Sequence, residues 1–138
     1  MILTFLALVL IFCRFFIISI PKFSVPHIVL DHKLNIFDFS ILFKPIFQKS
    51  PLVKIQNMYV DSDGHTALFS THVNDASHCE FFIQILTKEN TTTIRLFPLT
   101  DPNKTDSVKQ SLVFLCKQIQ ENYPNMNVIK SNLWDYIT

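Results

Sequence analysis

LVKIQNMYVDSDGHTALFSTHV, residues 52–73, has the pattern of two β-strands about a tight turn. In Leu52–Val60 apolar and polar residues alternate, which sets Val53, Ile55 and Tyr59 on one face. Asp61-Ser62-Asp63-Gly64 is a turn signal, because Gly64 can take a positive φ without a steric penalty. Alternation resumes over His65–Val73 and gathers Ala67, Phe69, Thr71 and Val73. Two alternating runs about a Gly-bearing turn predict a β-hairpin.

Working outward, Asn74–His78 reads as a polar loop and Cys79–Lys88 (CEFFIQILTK) as a third strand with Phe81, Ile83 and Ile85 aligned. Glu89-Asn90-Thr91 makes a second tight turn, and Thr92–Leu99 (TTTIRLFPL without its first Thr) is a fourth strand. Pro98 confines the end of that strand to a sheet edge or exit, since proline cannot donate to a ladder. A helix follows Asp101, capped by Thr105 or Asp106. Val108, Leu112, Leu115, Cys116, Ile119 and Tyr123 form one apolar stripe along it, and Pro124 stops it. Asn127–Thr138 adds a short strand and a docked tail.

These elements predict an α+β fold: a four-stranded antiparallel sheet of two consecutive hairpins, covered by the C-terminal amphipathic helix and preceded by an apolar N-terminal helix. The expected organisation is an anchor or signal segment over 1–20, a Phe- and Pro-rich connector over 21–51, and a small α+β domain over 52–138. In the connector, Asn35–Gln48 is the best local element, with Asn35 or Asp38 as N-cap and Pro45 as its kink or end.

Residues 2–20 (ILTFLALVLIFCRFFIISI) are interrupted only by Thr4, Arg14 and Ser19. A helix of this length just crosses a hydrocarbon core, and Arg14, near its C-terminal end, can snorkel to the headgroups. Arg at a span centre costs about 2.5–3.5 kcal/mol, and the surrounding apolar residues offset it at about 0.3–0.6 kcal/mol each. A single-pass membrane anchor is thus the first expectation. A cleaved signal peptide is the second; it lacks a preceding Lys or Arg and a small-residue cleavage pattern. Positive charge after the run favours a cytoplasmic domain, while the sequons at Asn90 and Asn103 favour a secreted, glycosylated one.

Composition narrows the chemistry. Of 138 residues, 49% are hydrophobic and 17% charged, which excludes a disordered chain. The formal net charge of +1 argues against a nucleic-acid binder. With one glycine, neither a phosphate-cradling loop nor a serine-hydrolase elbow can be built. Asp61 and Asp63 resemble the start of a calcium loop, but its twelfth position is His72 and its flanks read as strands, so turn chemistry explains them. His72, His78 and Cys79 converge only around the 74–78 loop, with no fourth ligand at a diagnostic spacing. No cofactor or metal site is therefore expected. Cys116 lies on the buried stripe, and Cys79 can pair with it as a disulfide in an oxidising compartment.

No catalytic constellation emerges, so the expected function is a non-enzymatic protein-binding, adaptor or assembly module, membrane-tethered through residues 2–20, with another protein as partner. Phe39, Phe43, Phe47, Trp134 and Tyr136 are its candidate binding surface. The alternatives are a small secreted domain glycosylated at Asn90 and Asn103, and a small enzyme using His65 or His72.

Overall fold

Hydrophobic alternation and turn chemistry produce the central strands where they are expected, but in a larger sheet. The computed structural model describes residues 25–75 and 77–137. Along the chain run β1 (His27–Leu30), α1 (Ile36–Leu42), β2 (Ile46–Gln48), β3 (Leu52–Val60), β4 (Thr66–Asn74), β5 (His78–Thr87) and β6 (Thr92–Leu96). A 3-10 turn at Pro98–Thr100 leads to α2 (Asp106–Asn122), β7 (Val128–Ser131) and α3 (Trp134–Ile137). The strands form one antiparallel sheet in the order β2-β3-β4-β5-β6-β1-β7.

The four-stranded sheet is thereby corrected to seven strands, curled around α2 as a half-barrel. The three additional strands, of which β7 falls where a short strand is expected beyond Asn127, have three or four residues each, too few to display a period of two. Two of them become strands only through partners far along the chain: Ile28 pairs with Ile94 on one side and Ser131 on the other. The expected apolar N-terminal helix falls on residues 2–20, outside the described residues. Among the described residues no helix is long and apolar enough to cross a membrane. The transmembrane, signal-anchor and single-pass placement rests on residues 2–20, and no described helix supplies a membrane span to support it.

Alternating strand residues point into the curl. Val53, Ile55, Phe69, Ile83, Ile85 and Ile94 are buried on the inner face. There they meet the α2 stripe, of which Val108, Leu112, Leu115, Cys116 and Ile119 are buried. Each such side chain contributes about 1.5–3 kcal/mol of transfer free energy, so this face dominates folding. Helix α2 touches β3 and β4 toward one sheet edge and β6 and β1 toward the other, as a wrapped sheet requires. Its N-cap is Thr105, whose Oγ1 accepts the Val108 N–H at 3.3 Å.

Helix α1 starts where Asn35 Oδ1 accepts the Asp38 N–H at 3.1 Å, satisfying a donor of the first turn. It drives Phe39 into the core, with ring centroids 6.4 Å from Phe69 and 6.3 Å from Tyr123. After α1, Gln118 of α2 clamps the chain in both directions. Its Oε1 accepts the Lys44 N–H at 3.0 Å and its Nε2 donates to the Lys44 carbonyl at 2.8 Å. The connector region thus supplies β1, α1 and β2 to the same sheet and core as the rest of the chain.

Candidate functional site

Helix α2 packs on β1, β3, β4 and β6 and helix α1 on β3 through buried inner-face residues, so among the described residues neither of these helices covers the outer face. Its composition follows from strand parity. On β4, Leu68, Ser70 and His72 face outward between the buried Ala67, Phe69, Thr71 and Val73. On β5, Glu80, Phe82 and Gln84 do the same, and on β6 Thr93 and Arg95.

Strand β3 contributes to this face through a β-bulge. Ile55 pairs with Thr71 but Met58 pairs with Phe69, so β3 holds one residue more than β4 over this interval. An extra residue reverses the alternation beyond it. Tyr59, expected beside Val53 and Ile55, instead faces the opposite side and is 54% exposed. The bulge is pinned where the Asn57 N–H donates to Ser70 Oγ at 3.0 Å.

An aromatic strip results. The Tyr59 ring lies 6.3 Å from Phe82, and Phe82 lies 6.5 Å from Phe97, both edge-on. Phe97 divides two shallow hollows. The first, about 360 Å³, is lined by Tyr59, Leu68, Gln84 and Asp61 among others. The second, about 470 Å³, is lined by Val25, His27, Thr93, Arg95 and Pro98 among others. Arg95 Nε donates to Gln84 Oε1 at 3.0 Å, leaving further guanidinium donors directed by a planar fork. Asp101, at the rim of the second hollow, is paired with Lys104 at 2.5 Å.

Two rungs along the same face, at the β4–β5 hairpin end, His72 stands directly opposite Glu80, and His78 stands opposite Asn74. His72 Nδ1 is 3.7 Å and His78 Nε2 3.8 Å from the same Glu80 oxygen. The imidazole rings are 4.0 Å apart, edge to face. Cys79, read from sequence as the companion of these histidines, pairs with Val73 and packs against the core instead. The third member is Glu80. Symmetry about residue 76, which pairs 72 with 80 and 74 with 78, was the available signal, but it needs the register of the hairpin.

The five aromatic residues expected to form a binding surface are dispersed. Phe39 is fully buried, and Phe43 packs half-buried on it with centroids 6.0 Å apart. Phe47 is exposed on β2 beneath the Lys54 ammonium, 5.4 Å from its centroid. Trp134 is partly exposed on α3. Tyr136 is half-buried; its hydroxyl donates to Asp106 at 2.5 Å, and that carboxylate pushes its pKa up. His65 lies in the β3–β4 turn, where its N–H donates to Asp63 Oδ1 at 3.1 Å. Asp61 likewise serves the turn, accepting from the Ser62 N–H at 2.7 Å.

Cys79 and Cys116 are free thiols, and burial pushes Cys116 up to about 11, so it stays an uncharged packing group. Asn90 and Asn103 are both exposed. Compared with protein-family models, with curated proteins and with solved structures, the chain matches none.

Proposed function

We propose that this chain is a non-enzymatic protein-binding module whose docking surface is the outer face of the sheet around Phe97. The observation that carries the reading is the pair of hollows on either side of that ring. Each can receive one bulky apolar side chain of a partner polypeptide. Arg95 stands in the second hollow, and the nearby Asp101 is already paired with Lys104. The complementary segment therefore carries two large apolar residues with a carboxylate beside them, the acid meeting Arg95.

Docking across the face is favoured over strand addition at an edge. Both edge strands are short: β2 has three residues and β7 has four, with Lys130 on it. Short, charged edges discourage pairing with another strand.

The test is selection of a displayed random-peptide library on the full chain. The expected winners combine two bulky apolar residues with Asp or Glu, and bind Phe97→Ala and Arg95→Glu at least about tenfold more weakly, as loss of an anchor residue implies. Tyr59→Ala, at an exposed position, provides a variant that leaves the core untouched. Absence of enrichment, or peptides that bind all three folded variants as they bind the parent chain, would overturn the reading.

A further inference from the structure

We propose that His72, His78 and Glu80 form a binding site for a divalent transition-metal ion of the zinc type. Two neutral imidazoles and a carboxylate are the donor set that such borderline ions accept. Calcium and magnesium, which require mostly oxygen ligands, do not fit it.

The geometry is close to what coordination needs. Zinc–nitrogen and zinc–oxygen bonds of about 2.0–2.2 Å in a tetrahedron place neighbouring ligand atoms about 3.4 Å apart. Here the two imidazole nitrogens stand 3.7 and 3.8 Å from one Glu80 oxygen, and one ligand atom from each residue can be chosen so that all lie within 4.8 Å of one another. Small side-chain rotations close that gap. The backbone need not move, because ladder pairing fixes His72 across from Glu80 and sets His78 two rungs on, on the same face. Ligands carried by paired strands are held better than ligands on a free loop.

The charged groups around the site have partners of their own. The three side chains interact with one another, and among the described residues no hydrogen bond of the fold depends on them. Lys54, opposite His72 on β3, places its ammonium over the Phe47 ring. The Asp75 carboxylate in the adjoining loop accepts from Ser107 at the start of α2. Three protein ligands leave the fourth position for water or a partner's side chain, the arrangement of an open site. Asn74, across from His78, offers an amide oxygen on the same face.

Isothermal titration of the full chain with zinc chloride alone tests the site. One ion per chain is expected, with a rise in melting temperature as linkage requires. His72→Ala, His78→Gln and Glu80→Gln should each weaken binding by about tenfold or more, since even outer partners of a metal ligand matter at that level. His65→Ala, in the distant turn, should bind as the parent does. His78 is exposed, so its variant remains informative if His72→Ala fails to fold. Absence of stoichiometric binding, or unchanged binding by folded His78→Gln and Glu80→Gln, would overturn the proposal.

Discussion

The ring of Phe37 fills the space that a side chain at Gly64 would occupy. Gly64 has φ +74°, and a Cβ built there would lie 2.9 Å from Phe37 Cδ2 and closer still to Cε2. One glycine thus serves two purposes: it permits the left-handed turn between β3 and β4, and it lets α1 close over that turn. Gly64→Ala should destabilise the fold by at least about 1–2 kcal/mol from the left-handed backbone alone. Displacement of Phe37 adds to this. Denaturant melts of both single variants and of Gly64→Ala with Phe37→Ala should show coupling, the double variant recovering part of the loss.

Neighbouring apolar residues of α1 should differ sharply in their effect. Phe39 is 0% exposed and Ile41 is 83% exposed. Phe39→Ala opens a cavity against Phe43, Phe69 and Tyr123, with an expected loss of about 3–5 kcal/mol. Ile41→Ala should stay within about 0.5 kcal/mol of the parent. Equal losses in equilibrium unfolding would contradict the placement of α1.

Helix α2 should depend on its cap. Thr105 Oγ1 accepts the Val108 N–H, and Thr105→Ala removes that acceptor, for an expected loss of about 1 kcal/mol. Thr105→Ser, which keeps the hydroxyl, should retain most of the stability in the same melts.

Stability should fall at both extremes of pH for identifiable reasons. The Asn127 N–H, then His32, hold Asp31 below its ordinary value of 3.8. A lowered carboxylate stabilises the fold above its unfolded value and loses that effect as pH falls through its folded value. Burial, then the hydrogen bond to Asp38, push Tyr123 from 10.0 up to about 12. A raised phenol contributes fully below 10.0, and its contribution disappears as pH rises through about 12. Thermal melts should therefore show an acid limb blunted in Asp31→Asn and an alkaline limb blunted in Tyr123→Phe. Unchanged limbs would show that other groups control both transitions.

Much of the inner architecture was legible because its causes are local. Alternation over residues 52–55 and 66–73, the Asp-Ser-Asp-Gly turn, the Thr105 cap and the stripe from Val108 to Ile119 each act over a few neighbouring residues. The candidate site was far less legible. Reading Tyr59 with Val53 assumed an unbroken period of two, which the bulge before Met58 interrupts. Grouping Cys79 with His72 and His78 followed proximity in sequence, whereas ladder parity sends Cys79 inward and selects Glu80. Phe39 carried the right chemistry for a binding surface and was taken by the core.

The amino-acid order alone determined the central strands, the turn at Gly64 and the face that α2 buries, since hydrogen-bond caps and side-chain periodicity are short-range. Strand pairing and its register settled the rest: β1 between β6 and β7, β2 on β3, Tyr59 and Phe97 on one outer face, and three potential ligands brought together. Those juxtapositions depend on register, and a shift of one residue would have turned each side chain to the other side of the sheet.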